Sequence, residues 1–175
     1  PDVYTIAFWL NRTTSGHIID WRANSGEAGV QPAYINGDTG KLQYHSSAGG
    51  TVYFNYVFNT GQWYHIAIVV TAATATLYVN GASIESINAV HPAGTIAEFH
   101  VGCRATYTNI PQMSMKDLRL YATALNSEDI KQLYCKPVAI DNHQNIFAKI
   151  YKMASSFRLT LILKLSKSQN NDFFE

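Results

Sequence analysis

Short stretches rich in Gly and Asn recur along this chain at close intervals, and they constrain its fold more than any other feature. They lie at 11–16 (NRTTSG), 24–26 (NSG), 36–40 (NGDTG), 46–50 (SSAGG), 59–61 (NTG), 80–81 (NG) and 92–94 (PAG). Between them lie runs of strand-forming residues such as VYTIAFWL, KLQYHSS, TVYFNYVF and WYHIAIVV. Strands separated by such turns about every 8–12 residues are typical of an antiparallel sandwich or barrel. The pattern therefore predicts an all-β fold, an antiparallel β-sandwich.

The composition agrees with this fold class and excludes two kinds of partner. The 175 residues are 47% hydrophobic and 13% aromatic but only 14% charged, which is typical of sheets rich in Tyr and Thr. The formal net charge is +1 and the basic residues are scattered, so the chain lacks the electrostatic footprint of a nucleic-acid-binding protein. The apolar stretch at 157–165 is far shorter than the roughly 20 residues that span a bilayer, so we expect no membrane insertion.

The N-terminal residues and the two cysteines leave alternatives open. The chain begins at Pro1 without a basic segment followed by an apolar core, so we predict no signal peptide and expect a processed chain or an internal fragment. Cys103 and Cys135 are either joined in one disulfide or are two free buried thiols, because sequence spacing does not establish a bridge. We favour the free thiols.

Residues 61–85 (GQWYHIAIVVTAATATLYVNGASIE) predict a central strand followed by a hairpin. One face of the strand carries Tyr64, Ile66, Ile68 and Val70, and the other carries Trp63, His65, Ala67 and Val69. Both sets are largely apolar, which indicates cover on both sides. Asn80-Gly81 is typical of a two-residue hairpin turn. No nucleophile with an orienting carboxylate accompanies His65, so we interpret it as a strand residue that makes one hydrogen bond.

One helix is predicted after the strands, at ALNSEDIKQLY (124–134). Asn126 is its predicted N-cap, with Asp129 three residues later, and Leu125 and Ile130 flank the cap at hydrophobic-staple positions. We expect a short surface helix of two to three turns that ends near Cys135.

The composition changes after Pro137, which predicts two parts: a sandwich at 1–135 and a C-terminal extension at 136–175 for docking or assembly. In the extension, leucines at 159, 161, 163 and 165 alternate with mostly polar residues. The alternation fits a strand with one apolar face, although a helix is the alternative. This apolar stripe either contacts another subunit or covers the sandwich of its own chain.

Four segments, in their order and spacing, resemble the laminin-G-like, concanavalin A-like jelly-roll superfamily, in the branch that includes pentraxin-type modules. They are YTIAFWL (4–10), GQWYHIAIVV followed by ATLYVNG (61–70 and 75–81), FHVGCR (99–104) and DLRLYATALNSEDIKQLY (117–134). The resemblance covers roughly 3–134 and implies a jelly-roll sandwich with one short helix.

The sequence departs from this family in three places. TAATAT (71–76) replaces an Asp-Gly turn, and Met113 and Lys116-Asp117 stand where Gly and Asp-Asp are usual, which removes a carboxylate from a potential metal site. Family members also carry an N-terminal strand that pairs with the strand holding Leu118 to Tyr121, so we expect that the first strand is missing.

A second resemblance concerns the environment of the protein. LYCKPVAIDNHQNIFAKIY (133–151) is similar to segments that follow such domains in bacteriophage tail, fibre and virion-surface proteins, although Gln144 stands where Gly is usual. It implies an extracellular or virion-surface location, within a longer chain or an oligomeric assembly.

Sugar recognition by a sandwich uses an aromatic platform with a few amide or carboxylate groups. Aromatic residues next to polar turns are Trp21, Tyr34, Tyr44, Tyr53, Tyr56 and Tyr107. As the candidate ligand-binding group at the loop rim we select Trp21, Asn36, Asp38, Tyr44 and Tyr107. The alternative for each tyrosine is an ordinary role in a half-buried sheet.

A calcium ion is the only cofactor that we consider. Its candidate ligands are Asn36, Asp38 and Thr39 in INGDTG, with Asp117 or Asp20 contributed from a distance. The alternative is that these residues form a hairpin turn, because Asn-Gly and Asp-Thr-Gly are turn sequences in any case.

Glycoside hydrolysis needs two carboxylates that face each other about 5–10 Å apart. Retaining hydrolases of the superfamily place them in a Glu-x-Asp-x-x-Glu string, which this chain lacks, and Glu27, Glu85 and Glu98 are isolated on different predicted elements. We therefore expect no enzyme but a surface binding or adhesion module that contacts glycans or neighbouring protein subunits. Two alternatives stay open: a structural assembly domain without a ligand, and an accessory domain of a larger secreted glycosidase.

Overall fold

The computed structural model describes residues 3–22, 29–46, 48–89, 98–104, 110–135 and 160–162. Within these ranges the elements, in chain order, are β1 (Tyr4–Arg12), β2 (Gly16–Arg22), β3 (Gly29–Ile35), β4 (Lys41–Ser46), β5 (Gly50–Val57), β6 (Trp63–Val70), β7 (Thr74–Val79), β8 (Ala82–Asn88), β9 (Glu98–Val101), β10 (Met113–Tyr121), α1 (Ser127–Cys135) and β11 (Thr160–Ile162). The turn-rich pattern of the sequence is thus realised as a succession of short strands.

The strands form two sheets that pack face to face. The five-stranded sheet has the order β10-β1-β6-β7-β8, and the six-stranded sheet has the order β11-β9-β2-β3-β4-β5. Neighbouring strands pair antiparallel, except that β11 runs parallel to β9. This arrangement confirms the predicted all-β jelly-roll sandwich with one short helix.

The hydrophobic core lies between the sheets and follows the alternation of the strands. From the five-stranded sheet it includes Tyr4, Ile6, Phe8, Leu10, Tyr64, Ile66, Ile68, Val70, Leu77 and Val79, and from the six-stranded sheet it includes Ile19, Trp21, Val30, Ile35, Leu42, Tyr44, Phe54 and Phe99. Because side chains alternate along a strand, the other set of each strand faces outward.

Strand β6 has the central position that its two apolar faces predict, since it lies between β1 and β7. Its inner set joins the core, while Ala67 and Val69 of the outer set pack under α1 around the buried side chain of Ile130. Asn80 and Gly81 have positive φ angles of 51° and 81° and connect β7 to β8, which confirms the predicted hairpin turn.

The helix begins as its capping sequence predicts. The Asn126 Oδ1 accepts hydrogen bonds from the backbone N–H groups of Glu128 and Asp129, both at 2.9 Å. In return the Asn126 N–H donates to the Asp129 carboxylate at 3.2 Å. Leu125 packs against the same cluster as Ile130, as a hydrophobic staple requires. The helix thereby covers part of the outer face of the five-stranded sheet.

Cys103 and Cys135 are not joined in a disulfide, as we favoured. Cys103 is buried, but Cys135 is exposed at the end of α1, so the expected burial of both thiols is wrong for Cys135. Among the described residues, none belongs to a helix long and apolar enough to cross a membrane.

Part of the C-terminal extension falls within the described residues. Residues 160–162 form β11, with Leu161 opposite Phe99 of β9, so this piece of the alternating segment is a strand on the edge of its own sandwich. The remainder of 136–175 lies outside the described residues. Leu118 to Tyr121 belong to β10, whose described partner is β1, and a further strand beside β10 stays a prediction.

Candidate functional site

The structure separates the residues of the predicted rim group. Trp21 is 3% exposed and Tyr44 is 1% exposed, and both belong to the core between the sheets. The Trp21 ring packs edge-on against Tyr4 and Phe99, with ring centroids 4.9 and 5.6 Å apart. Burial raises the pKa of the Tyr44 hydroxyl above its ordinary value. Neither ring offers a face to a ligand, so the aromatic part of a binding site has to come from other residues.

Asn36 and Asp38 lie together in the turn between β3 and β4. The Asn36 Oδ1 accepts hydrogen bonds from the backbone N–H groups of Asp38 at 2.9 Å and Thr39 at 3.1 Å, and from the Thr39 hydroxyl at 3.3 Å. The turn closes with a bond from the Gly40 N–H to the Asn36 carbonyl oxygen. These contacts are those of a hairpin turn, the alternative role for this segment. Tyr107, the last member of the rim group, lies outside the described residues.

The candidate calcium ligands are not brought together in the structure. Asp117 lies on β10 at the edge of the other sheet, and its two carboxylate oxygens accept hydrogen bonds from Arg119 Nε and Nη2, both at 2.7 Å. Asp20 is fully buried on β2, opposite His100. Among the residues that the structure describes, no group of three or more His, Cys, Asp or Glu side chains could hold a metal ion. Calcium binding therefore stays a prediction without a described ligand set.

The outer face of the six-stranded sheet carries a different cluster, which we call the polar face. It consists of the outward side chains of β3, β4 and β5, namely Tyr34, Lys41, Gln43, His45, Thr51, Tyr53 and Asn55. Along β4, half-buried Lys41, Gln43 and His45 alternate with the buried Leu42, Tyr44 and Ser46. The alternation of the sequence KLQYHS therefore directs the polar side chains away from the core.

An aromatic and amide line crosses the polar face. Tyr34, Gln43 and Tyr53 are direct cross-strand partners on β3, β4 and β5. Tyr53 is 43% exposed and Tyr34 is half-buried. Since neighbouring strands lie about 4.8 Å apart, the two tyrosines are roughly 10 Å apart with the amide between them. The line thus offers two aromatic rings and, between them, an amide that both donates and accepts hydrogen bonds.

Two side-chain hydrogen bonds fix the polar groups on either side of this line. On one side, His45 Nδ1 lies 2.8 Å from the Thr51 Oγ1, between directly paired residues of β4 and β5. On the other side, Lys41 Nζ donates to the Asn55 Oδ1 at 2.8 Å. The two hydrogen bonds fix the positions of the His45 and Lys41 side chains on either side of the line.

The same face continues toward β2 and β9 with buried polar residues. His17, Asp20, Gln31 and His100 are all less than 8% exposed. The His17 ring contacts Tyr34 with centroids 4.6 Å apart, and His100 Nε2 lies 3.0 Å from the Glu98 Oε2. The accessible part of the face is therefore its β3–β5 half, where Tyr34 is held from one side by His17.

The sequence does contain a signal that separates the inward from the outward tyrosines. Tyr44 is in phase with Leu42, and a residue in phase with an apolar neighbour two positions away faces the core. Tyr34 is out of phase with Ala33 and Ile35, which are both buried. Selecting aromatic residues by their nearness to turns missed this phase.

Glu85 and Glu98, two of the carboxylates that the sequence places on different elements, lie far apart in the structure. Glu85 on β8 accepts a hydrogen bond from the Asn55 backbone N–H on β5, whereas Glu98 lies on β9. Four strand spacings separate β5 from β9 in the sheet, which is roughly 19 Å at about 4.8 Å each. This is about twice the largest carboxylate separation of a glycoside hydrolase. Glu27 lies outside the described residues.

Comparison with known proteins places this geometry in a family. Residues 1–131 match the family described as the concanavalin A-like lectin/glucanases superfamily. The sequence matches none of the curated proteins with which it was compared.

Several solved structures have the same fold at low sequence identity. Domain 4 of AbnA, a GH43 extracellular arabinanase from Geobacillus stearothermophilus solved with arabinotriose, has a TM-score of 0.58 and 19% identity, over 76% of this chain and 66% of that chain. The heptameric SAP-like pentraxin from Limulus polyphemus has a TM-score of 0.59 and 18% identity, over 76% and 70%. Trypanosoma rangeli sialidase in complex with sialic acid has a TM-score of 0.59 and 14% identity, over 77% and 23%. The chain thus spans about two thirds of the arabinanase domain and less than a quarter of the sialidase.

Proposed function

The chain belongs to the concanavalin A-like lectin/glucanase superfamily, and from that premise we propose that it is a carbohydrate-binding module without catalytic activity of its own. The proposed ligand is an oligosaccharide that lies on the polar face and runs across β3, β4 and β5. In the complex of AbnA domain 4, a domain of the same fold is found with arabinotriose, which supports a sugar as the class of ligand.

The line of Tyr34, Gln43 and Tyr53 carries this proposal. An exposed aromatic ring offers an apolar surface against which the C–H face of a sugar ring packs, and an amide hydrogen-bonds to hydroxyl groups in either direction. The two tyrosines lie two strands apart, so one ligand that contacts both must be longer than a single sugar ring. We therefore expect oligosaccharides to bind better than monosaccharides.

Asn36, Asp38 and Tyr107 of the predicted rim group have a smaller role in this proposal. Asn36 and Asp38 lie at the β3–β4 turn, two and four residues beyond Tyr34, where Asp38 is exposed. The Asp38 carboxylate is proposed to contact an end of the ligand from the rim, and Tyr107 stays a candidate there. The Asn36 Oδ1 already accepts hydrogen bonds within its own turn. In this proposal Asn36 therefore positions the Asp38 backbone.

We also propose that the module acts outside the cell, on a cell exterior or a virion surface, as part of a longer chain or an assembly. The comparison with a domain of an extracellular arabinanase and the similarity of 133–151 to virion-surface proteins support this location. In the proposed organisation, residues 1–135 form the binding module and 136–175 form a docking segment. The pairing of β11 with β9 favours docking of that segment on its own sandwich.

A binding measurement on a panel of oligosaccharides that includes arabinotriose tests the function. The Tyr53→Ala variant should lose about tenfold in affinity for a bound oligosaccharide, as central aromatic contacts do, while Tyr53→Phe should retain most of it. Ile84→Ala is the matched control, because Ile84 is 39% exposed on β8 of the other sheet. It should bind as the unmodified protein does.

The competing role as an assembly domain predicts a different result. No binding to any oligosaccharide at high protein concentration, together with a stable oligomer in light scattering, would favour assembly over sugar recognition. Binding that survives in Tyr53→Ala and in Gln43→Ala would place the sugar elsewhere and contradict the proposed site.

A further inference from the structure

A second aromatic surface lies on the opposite side of the molecule, on the outer face of the five-stranded sheet. Trp63 begins β6 there and is 38% exposed. It belongs to the outer set of β6, in phase with Ala67 and Val69, which α1 covers. The helix does not cover Trp63, so a large indole stays accessible beside the covered part of the sheet.

The ammonium group of Lys116 lies over this indole. Lys116 Nζ is 4.5 Å from the centroid of the Trp63 ring and 5.4 Å from that of the Trp9 ring. Both distances are within the range of cation–π attraction. Among the described residues Lys116 has no carboxylate partner, and the carboxylate of its neighbour Asp117 is engaged by Arg119 through both oxygens. One accessible positive charge is therefore held at an aromatic surface with no counter-ion from the part of the chain that the structure describes.

Two polar side chains complete a row beside the indole. Ser114, Asn11 and Trp63 are direct cross-strand partners on β10, β1 and β6. Ser114 is exposed, and Asn11 is half-buried with its Nδ2 donating to the Gly61 carbonyl oxygen at 3.3 Å. Among the hydrogen bonds of the described residues none uses the Asn11 Oδ1, which leaves an acceptor for a ligand hydroxyl.

We propose that Trp63, Lys116, Asn11 and Ser114 form a second saccharide site, specific for a sugar that carries a carboxylate. The indole packs against the C–H face of the sugar ring, and Lys116 donates charge-assisted hydrogen bonds to the carboxylate. Asn11 and Ser114 contact the hydroxyl groups. The charge of Lys116 decides the ligand class, since nothing else at this surface distinguishes an acidic sugar from a neutral one.

This site is independent of the polar face, because the two lie on opposite outer faces of the sandwich. A protein with both sites would hold two parts of a branched or mixed polysaccharide at once, or cross-link two chains. Linking two weak sites in this way raises the overall affinity without new contacts.

Titration of the whole chain with methyl β-D-glucuronide and methyl β-D-glucoside, followed by NMR of the indole N–H groups, tests the proposal. The chain has three tryptophans, and Trp63→Phe assigns the relevant signal. We expect a saturable shift of the Trp63 signal with the glucuronide and about fivefold weaker binding of the glucoside, as one exposed charge contact gives. Raising the salt concentration should weaken only the glucuronide.

Two exposed positions supply variants that should fold normally. Lys116→Gln should bring the affinity for the glucuronide down to that for the glucoside. Trp63→Ala lacks the reporter indole, so its binding is followed by ligand-observed NMR of the sugars, and it should bind neither of them. Tyr53→Ala on the polar face should leave this titration unchanged. Equal binding of the two sugars, no saturable shift in the unmodified protein, or ligand-observed binding that is lost in Tyr53→Ala and kept in Trp63→Ala would each overturn the second site. None of these results would contradict oligosaccharide binding at the polar face.

Discussion

The Glu85 carboxylate on β8 accepts a hydrogen bond from the backbone N–H of Asn55 on β5. These strands end the orders of the two sheets, so the bond joins the edges of the sandwich. Strand β5 departs from regular pairing with β4 here, since its register shifts between the partners of Lys41 and Gln43. The carboxylate thus satisfies an N–H group that an edge strand would otherwise present to another chain.

Replacing Glu85 by Ala should lower the free energy of unfolding by about 1 kcal/mol, because the contact is solvent-exposed and an exposed bond contributes little more. Glu85→Gln keeps an acceptor and should cost less than half as much. Urea unfolding of both variants measures the difference. Light scattering of concentrated Glu85→Ala should also show more self-association, and equal behaviour of the two variants would contradict the edge role.

The buried imidazole of His65 should make stability depend on pH. His65 is 2% exposed and packs against Trp9 and Tyr134, with ring centroids 5.4 and 5.9 Å away. Burial lowers the pKa of His65 from 6.5 to about 4, while the nearby Asp117 carboxylate raises it and the Arg119 guanidinium lowers it, each by less. The unfolded chain therefore binds a proton between about pH 6.5 and pH 4 that the folded protein does not bind.

Stability is consequently lost as the pH falls through this window and is fully present above it. At pH 4.5 the loss due to this residue should be about 2–3 kcal/mol relative to pH 7.5, from 1.36 kcal/mol per unit of pKa difference. Urea unfolding at the two pH values measures this loss in the free energy of unfolding. His65→Gln is the control, because it removes the contribution of the imidazole to the pH dependence and keeps the contribution of the carboxylates. The same pH slope in both proteins would contradict the low pKa.

The cap of α1 should control how firmly the helix covers its sheet. Asn126→Ala removes the acceptor of two backbone N–H groups and should cost about 1 kcal/mol. Asn126→Asp retains the acceptor and should be nearly neutral. Hydrogen exchange of the amides of Ile130 to Tyr134 should accelerate in the alanine variant, whereas the amides of β3 and β4 should be unaffected. Acceleration throughout the chain would mean that the helix and sheets unfold only together.

The sequence predicts the strands and the helix well for a physical reason. Turn residues with positive φ, such as Asn80-Gly81, and the capping pattern at Asn126 act within a few residues, so their consequences can be derived locally. The two-sided apolar character of β6 similarly indicates its central position. The family resemblance of the four segments is confirmed by the match over 1–131.

The candidate site is harder to predict because it depends on which face of each strand turns inward. In β3, Pro32 interrupts the pairing of a central strand, and the register with β4 shifts between Gln31 and Tyr34. A shift of one residue reverses the faces, so Tyr34 points outward although its four-residue spacing from the core residue Val30 would place it inward. The line also depends on how three strands pair, because it joins Tyr34, Gln43 and Tyr53 from β3, β4 and β5. A pattern within one strand carries no information about that pairing.

Calcium should not stabilise the protein through the β3–β4 turn. The acceptor atoms of Asn36 are used within the β3–β4 turn and those of Asp117 by Arg119, so calcium should gain no ligand set from them. A metal bound to the native state at 100 times its Kd would add about 2.7 kcal/mol of stability, which raises the melting temperature by several degrees. We expect the same melting temperature, and the same oligosaccharide affinity, with calcium at a few millimolar and with a chelator. A rise with calcium that disappears in Asp38→Ala would instead place a metal ion at this turn, and a rise that persists in that variant would place it elsewhere in the chain.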